Sequence, residues 1–268
     1  MIPYKPKDMG EASESSAAQG TSAREFFKLV IFVACLAAGL YFAVGFAVDA
    51  VVLRLPADTE TKLFSSMDFV EPAAGARDKK RIAELDAILQ KLLARKQTHP
   101  LNYRLFLIDD PRPNAVAAPG GGIGVTRGLL KALSDDEIAQ AFVLGHELGH
   151  FKHRDHLRGL GRAVGLQICY ALIFGQADAG SIVGTGAFEL AGKNYSRSQE
   201  MKADAFGLML VYQTYGQTKG ADRLFRLLEK QRGMPGWAYM FSTHPAHEKR
   251  ILALKKYAKE LEKQSEQK

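Results

Sequence analysis

Twenty consecutive residues without a charged side chain, Leu29 to Val48, set the strongest limit on how this chain can fold. At about 1.5 Å per residue, a helix of this length crosses a hydrocarbon core of about 30 Å. A cleavable signal peptide is the alternative, but its apolar region covers only about 7–15 residues. Because this stretch is longer and 28 mostly polar residues precede it, we interpret residues 29–48 as an uncleaved membrane anchor.

The segments on either side of the anchor predict its orientation and the organisation of the chain. The tail before it carries four basic residues, whereas the twenty residues after it carry two. The positive-inside rule then predicts a single-pass protein with a cytoplasmic tail and an exported main domain, which in a bacterial inner membrane is the periplasmic side. Residues 1–28 are small and polar, so we expect a disordered tail. Residues 49–75 are rich in turn formers and form a connector, which leaves 76–268 as the main domain.

Composition narrows the class of protein further. With 47% hydrophobic and 24% charged residues, the chain has globular proportions. Its net charge of +7 could indicate nucleic-acid binding, but no Lys/Arg run is interleaved with aromatics, so we expect no nucleic-acid partner. Cys35 and Cys169 lie in apolar stretches and are interpreted as small hydrophobic residues. The apolar stretch 163–174 is too short to span and predicts a buried helix or a surface-inserting segment.

The hydrophobic periodicity of the main domain predicts mostly helices and a small sheet, an α+β fold. Helical spacing runs from Ile82 to Leu93, and Ser134-Asp-Asp-Glu137 reads as a capping box that starts a helix at Asp135, ending near Lys152. Further helices are expected at 198–215, 220–232 and 246–264. Short strands are expected at 103–108, 114–119 and 123–126.

The motif His146-Glu-Leu-Gly-His150 lies within the capped helix. Residues four apart share a helix face, so both imidazoles can bind one tetrahedral zinc. Glu147 lies about 100° round the helix, where it can take a proton from a zinc-bound water. Gly145 and Gly149 form a flat strip that a backbone or substrate can approach. The short motif also occurs by chance in solvated helices, but the apolar neighbours here indicate a buried helix.

A later helix supplies a candidate third ligand. Glu200 and Asp204 are one turn apart near its start, so Glu200 can complete a His₂Glu zinc site with an open fourth position. Asp204 can then accept a hydrogen bond from a ligating histidine. Two exposed acids paired with Arg197 or Lys202 are the alternative, which the flanking apolar residues disfavour.

With these residues identified, the chain resembles the membrane-associated zinc peptidases that include HtpX and the CAAX prenyl proteases. The resemblance covers about 55–254, with four signatures in order: Asn114-Ala-Val-Ala-Ala-Pro-Gly-Gly, the His146 motif, Tyr195-Ser-Arg with Glu200 and Asp204, and Ser242-Thr-His-Pro245 followed by Arg250-Ile. It implies a zincin-like gluzincin domain with one Zn²⁺ per chain and the site roles given above. Because one span is predicted, the chain is similar to single-span quality-control members rather than to multi-span CAAX proteases.

The resemblance also bears on two further parts of the site. It implies that His244 lies near the active site, where it could stabilise the oxyanion or, in a latent form, reach the metal. From the residues alone, His244 is a turn residue. The segment Gly121, Gly122, Ile123, Gly124 and Val125 is either an ordinary hairpin strand or an edge strand that binds an extended substrate, and the resemblance favours the second. The other histidines, at 99, 153, 156 and 247, are expected to be solvated.

These observations predict a zinc-dependent endopeptidase that cuts unfolded or extended segments of membrane or envelope proteins. The expected partners are polypeptide substrates and the lipid bilayer, and the sequence does not define an oligomeric state. The alternative is a membrane-anchored assembly factor or holdase with a structural zinc. The presence of Glu147 favours the enzyme, because a structural site has no use for a general base.

Overall fold

A computed structural model describes residues 23–65, 75–174, 195–221, 223, 244 and 248–266. The chain divides into two compact units, Met1–Phe46 and Ala47–Lys268, each described by itself. Several predictions lie outside the described residues: most of the disordered tail, part of the connector, most of the helix at 220–232, His247, and the Ser242–Pro245 signature apart from His244.

Helix α1 (Ala23–Val52) contains the predicted anchor and extends it at both ends. Its most apolar window has a mean hydropathy of 2.5, and by length and composition it could cross a membrane. Large apolar side chains are exposed along its length, with Phe32, Phe42 and Phe46 among them. A helix that is apolar all round and not buried by protein suits a bilayer.

The second unit is mostly helical, as expected for the predicted α+β class. Its helices are α2 (Ala57–Leu63), α3 (Ala76–Leu93), α4 (Arg127–Ala132), α5 (Glu137–His153), α6 (Asp155–Phe174), α7 (Arg197–Tyr215) and α8 (Glu248–Glu266). α5 lies in the centre and packs against α3, α7 and the sheet. Its apolar side chains are buried all round, including Phe142, Leu144, Leu148 and Phe151, so the helix that carries the metal motif is a core helix.

Two helix starts show how caps set the boundaries around the site. α5 begins at Glu137, not at Asp135, because the side chain of Asp136 accepts a hydrogen bond from the Ala139 amide at 2.9 Å. The predicted Ser134 cap is therefore wrong by two residues. α7 begins with a capping box in which the Ser196 and Gln199 side chains each bond the other's backbone amide. This cap fixes the first turn of α7, which carries Glu200.

The sheet has three strands, β1 (Arg104–Ile108), β2 (Ala115–Ala118) and β3 (Gly122–Thr126), in the order β1-β3-β2. β3 pairs with β1 in parallel and with β2 in antiparallel orientation. The expectation that Gly121–Val125 forms an edge strand is therefore wrong, because both sides of β3 are already hydrogen-bonded. In the described sheet, β2 is the strand beside the helices of the site, since it contacts α5.

The glycines of the Pro-Gly-Gly-Gly segment serve the packing of the sheet. Gly120 and Gly121 have φ of 79° and 90°, a conformation that favours glycine. A β-carbon on Gly121 would lie 2.6 Å from the carbonyl oxygen of Asn102, and one on Gly124 would lie 2.7 Å from the Ile108 side chain. These residues therefore let the turn form and let β3 approach its neighbours.

The glycine strip on α5 lets α7 approach closely. A β-carbon on Gly145 would lie 2.9 Å from Cα of Gly207, and one on Gly149 would lie 2.7 Å from Cα of Ala203. The expected close backbone approach is made by the α7 backbone, since α7 lies against this strip. The two helices that carry the predicted ligands are thus held at short distance by small residues on both.

Candidate metal centre

Both imidazoles of the motif on α5 point to one spot, as their spacing predicts. The Nε2 atoms of His146 and His150 are 3.1 Å apart. Their Nδ1 atoms face carboxylates instead: Asp204 lies 2.9 Å from His146 and Asp155 lies 3.0 Å from His150. Donation of each Nδ1–H to a carboxylate leaves both Nε2 lone pairs facing each other, ready to bind a cation.

Glu200 on α7 reaches the same spot from the other helix. Its Oε1 lies 3.4 Å from Nε2 of His150, and its Oε2 lies 3.7 Å from Nε2 of His146. The capping residue Gln199 also donates a hydrogen bond to Asp155 at 2.7 Å, which joins the start of α7 to the carboxylate behind His150. The structure therefore brings the three predicted ligands together.

His244 completes a group of four. Its Nδ1 lies 3.2 Å from Nε2 of His146 and 3.0 Å from Oε1 of Glu200. The ligand atoms of His146, His150, Glu200 and His244 all lie within 4.8 Å of one another, and all four residues are buried. The other nitrogen of His244, Nε2, lies 3.4 Å from the carbonyl oxygen of Ala115 in β2 and 3.6 Å from Oε1 of Glu147.

The spacing of these donors fits zinc. Two ligands at about 2.0–2.1 Å from a tetrahedral zinc lie roughly 3.3 Å apart. The separations of 3.0, 3.1, 3.2 and 3.4 Å between neighbouring donor atoms agree with that value. Two Nε2 lone pairs and a carboxylate oxygen that face one another need a positive charge between them, which a proton or a metal ion can supply. The donor set therefore has both the geometry and the charge that a divalent ion requires.

Buried carboxylates around the centre remain charged. Burial raises the pKa of Glu200, but the charges and hydrogen bonds of the neighbouring histidines outweigh it and lower the pKa well below its usual value. The pKa of Asp204 is lowered in the same way against burial, by His146 and Arg250. For His150, burial lowers the pKa, but hydrogen bonds to Asp155 and Glu200 raise it to about 9. The carboxylates around His150 therefore favour a positive charge at this position of the site.

Glu147 lies beside the ligands without belonging to their group. It is buried, and its Oε2 accepts no hydrogen bond from any residue that the structure describes. A buried carboxylate oxygen without a hydrogen bond costs free energy of folding, so its presence indicates a functional role. Its position, one residue from His146 and on the His244 side of the site, agrees with the expected general base.

Three residues that the sequence analysis did not assign to the site also build it. Asp155 orients His150. Arg250 on α8 donates from Nε and Nη2 to the two oxygens of Asp204, at 2.8 Å each, and its Nη1 lies 2.5 Å from Glu200. The Tyr195 ring stacks on His150 with centroids 3.9 Å apart. The predicted signatures contained Tyr195 and Arg250, but nothing in the spacing showed their contacts.

Comparison with known proteins decides the family. Residues 79–258 match the model described as Peptidase family M48. The chain belongs to peptidase family M48. The resemblance to HtpX-like zinc peptidases is confirmed, and with it the zincin-like fold class and the class of zinc metallopeptidase. M48 peptidases use zinc, so the predicted cofactor is confirmed as well.

Individual M48 relatives are moderately similar to the chain. The mitochondrial metalloendopeptidase OMA1 of Schizosaccharomyces pombe is 31% identical over 180 residues, which cover 65% of this chain and 52% of that protein. OMA1 of Arabidopsis thaliana is 30% identical over 151 residues, or 56% of this chain and 30% of that protein. A protease HtpX homolog of Burkholderia thailandensis is 28% identical, over 58% of this chain and 68% of its own length. The chain thus spans about half or less of the two OMA1 proteins.

A second buried polar cluster, here called the junction, joins the segment after α1 to the M48 domain. It consists of Glu60 on α2, with Arg154 and His156 at the α5–α6 turn. His156 Nε2 lies 2.9 Å from Glu60 Oε1, which also accepts from the Gly120 amide at 3.2 Å. Arg154 donates to the carbonyl oxygens of Val52 and Leu55.

The junction corrects the expectation for two of the histidines. His156 is fully buried, and His99, which is partly buried, lies against the Arg154 guanidinium, so both were wrongly expected to be solvated. Glu60 pairs with His156 and Arg154 with His99, and these partners offset the cost of burying a polar imidazole. Both partners lie far away in the sequence, so the pairing could not be predicted.

Proposed function

We propose that this M48 chain is a membrane-anchored zinc endopeptidase that cuts extended polypeptide segments. The observation that carries the proposal is a buried four-donor group beside a buried carboxylate, Glu147, that is not one of the donors. A site that only stabilised the fold would gain nothing from a buried acid next to its ligands that keeps one carboxylate oxygen without a hydrogen bond. The combination favours catalysis over the alternative of a holdase with a structural zinc.

His146, His150 and Glu200 would hold the metal, with Asp204 and Asp155 fixing the two imidazoles. When bound there, zinc supplies Lewis acidity that polarises a scissile carbonyl and makes a water more acidic. Glu147 accepts the proton of the attacking water at its carboxylate and returns it to the leaving amine. Arg250 holds Asp204 and Glu200 in place through its hydrogen bonds and ion pair.

His244 has two roles open to it from its position. Its Nδ1 lies among the donor atoms, where it can serve as a fourth ligand, and its Nε2 faces Glu147, where it can stabilise charge on a substrate. The variant His244→Ala separates them. If His244 would hold the metal as a fourth ligand, its loss should raise hydrolysis. If it stabilises charge on the substrate, its loss should lower kcat by about 10²–10³. In both cases zinc stays bound by the other three residues.

The substrate strand is proposed at β2 in place of Gly121–Val125. β2 pairs with β3 on one side and contacts α5, and the carbonyl oxygen of Ala115 at its start lies 3.4 Å from His244. A substrate that adds to this strand in extended form runs past the metal centre. Backbone pairing of this kind demands little of the substrate sequence but requires it to be unfolded. Gly121–Val125 would support the site from behind.

We propose a single span at 29–48 and a protease domain within 76–268, with the tail on the cytoplasmic side of a bacterial inner membrane. Support comes from the apolar helix α1 and from the charge difference across it. Relatives named protease HtpX homolog and mitochondrial metalloendopeptidase OMA1 support endopeptidase activity. We propose membrane or envelope proteins as substrates because the anchor would keep the domain at the membrane.

The experiment that tests the proposal is Glu147→Gln. We expect the variant to bind zinc like the wild type and to digest casein slower by about 10²–10⁴ or more, because the general base is lost. Glu84→Gln on the exposed surface of α3 is the matched control and should digest casein at the normal rate. Digestion by Glu147→Gln at the wild-type rate would rule out this mechanism, and chelator-resistant binding of unfolded casein without cleavage by the wild type would favour the holdase.

A further inference from the structure

The second half of α6 exposes large apolar side chains on opposite sides, which is unusual for a helix that is surrounded by water. Residues 163–174 carry no charge. Ile168, Tyr170 and Ile173 are 52%, 47% and 64% exposed. Since successive residues are about 100° apart on a helix, Tyr170 and Ile173 share one side and Ile168 lies on the opposite side. The described residues therefore cover no side of this half-helix fully, so the predicted alternative of a buried helix is not supported.

The first half of α6 is fixed to the last turns of α1. Arg158 and Arg162 both donate to Asp49, at 2.6 and 3.1 Å. Gly161 lies so close to Val48 that a β-carbon there would be 2.7 Å from the valine side chain. Arg154, just before α6, bonds the carbonyl oxygen of Val52. Contacts at 154, 158 and 161 meet residues 52, 49 and 48 in turn, so α6 runs antiparallel to the end of α1.

The two helices change from polar to apolar at the same contact. Val48 is the last residue of the uncharged stretch on α1, and Asp49 follows it. Arg162 is the last charged residue of α6 before its uncharged stretch. Asp49 and Arg162 are paired, so the charged residue that bounds each uncharged stretch lies at the same level. Because α6 runs antiparallel to residues 48–52, its uncharged stretch begins next to Val48, the residue before Asp49.

We propose that residues 163–174 of α6 insert into the acyl chains of the bilayer, next to the point where α1 leaves it. This rests on the proposed anchoring by α1 and adds a second membrane contact within the M48 domain. Twelve residues extend only about 18 Å, which is less than the core of about 30 Å, so α6 enters the bilayer without crossing it. Arg158, Arg162 and Asp49 then lie at the headgroup level, where long basic side chains reach water.

Insertion fixes the metal centre relative to the membrane. α6 begins at Asp155, whose carboxylate accepts from His150, and only six residues separate Asp155 from Gly161 at the proposed bilayer boundary. Along a helix this is about 9 Å. The centre therefore stays close to the headgroups, where it meets polypeptide segments that emerge from the bilayer.

A fluorescence-quenching experiment on the full chain tests the insertion. Each variant carries one cysteine labelled with an environment-sensitive dye, in liposomes of phosphatidylcholine and phosphatidylglycerol. The test position is Ile173→Cys in a Cys35→Ala, Cys169→Ala background. The matched control is Leu252→Cys on α8 in the same background, since its side chain is 65% exposed against 64% for Ile173. Cys35 alone, with Cys169→Ala, reports on α1.

We expect spin labels on the acyl chains to quench the dye at 173 several-fold more strongly than the dye at 252, and iodide in the water to show the opposite order. Quenching of position 173 by iodide as at 252, or by neither agent, would overturn the insertion; the second result means that protein covers α6. Cys35 keeps the two proposals apart. If acyl-chain quenchers reach Cys35 but not position 173, α1 is an anchor and α6 is not inserted, whereas failure at Cys35 overturns the anchor itself.

Discussion

The close approach of α5 and α7 allows a quantitative prediction for Gly149→Ala. A β-carbon at 149 would lie 2.7 Å from Cα of Ala203 and 3.0 Å from its carbonyl oxygen. Carbon atoms in ordinary contact are about 3.5–4.0 Å apart, so the two helices must separate locally by roughly 0.8 Å or more. Ala203 is adjacent to Asp204 and three residues after Glu200, so this movement carries the third ligand with it.

Two opposing energies set the effect on stability. Alanine gains about 1 kcal/mol over glycine in a helix interior. Overpacking in a tight contact costs about 1–3 kcal/mol. The free energy of unfolding should therefore fall by about 0–2 kcal/mol. Zinc affinity should suffer more, because ligand distances in a zinc site hold within about 0.2 Å. We expect a loss of about tenfold or more, on the scale of losing a residue that supports a ligand.

Chelator competition for zinc and denaturant unfolding measure the two effects. Gly39→Ala is the control, because it makes the same change in a helix interior with nothing within 4 Å of the new β-carbon. It should leave zinc affinity unchanged. The reasoning is refuted if Gly149→Ala binds zinc like the wild type and unfolds at a higher denaturant concentration, because the strip would then have room for a methyl group.

Two other substitutions probe the ligand set and the junction. Glu200→Ala should purify with much less zinc than the wild type, by metal analysis; full occupancy would require a different third ligand. Glu60→Gln should lower the free energy of unfolding by about 3–5 kcal/mol at neutral pH, because Arg154 and His156 lose a buried charged partner. Burial raises the pKa of Glu60, but His156, the Gly120 amide and Arg154 outweigh it and lower the pKa. Glu60 therefore stabilises the fold above about pH 4.5, its unfolded value, and the difference between the variants should shrink as the pH falls through the lowered pKa. A constant difference at all pH values would exclude the ion pair as its cause.

The parts of the site that the sequence predicts well are those set by helical spacing. His146 and His150 share a face because they are four residues apart, and that relation holds in any α-helix. Glu200 and Asp204 follow the same rule on α7. Their convergence on one point is a tertiary fact, but Gly145 and Gly149 already indicated that something approaches this face of α5. The signal was local, so it could be seen in the sequence.

The parts that the sequence predicts poorly depend on pairs that are distant in the chain. Nothing in the local sequence indicates that Glu60 is buried in contact with His156. Nor does it indicate that β3 is the central strand and β2 an outer strand of the described sheet. Asp155 had a weak signal, a carboxylate five residues after a ligand histidine. It was missed because the α5–α6 turn, with Arg154 in the left-handed conformation at φ 57°, directs its side chain back to the metal centre.

The α5–α6 turn connects the end of α1 with the metal centre and with the junction. Within three residues, Arg154 bonds the backbone at the end of α1, Asp155 orients His150, and His156 meets Glu60, which in turn accepts from the Gly120 amide in the turn after β2. The end of the anchor, a metal ligand and the proposed substrate strand are thereby connected through buried charged groups whose partners cannot shift independently. A displacement of Val52 at the end of α1 must break its bond to Arg154 or move the neighbouring residues with it. The same three residues therefore contact the end of α1, a residue of the metal centre and the turn that follows the proposed substrate strand.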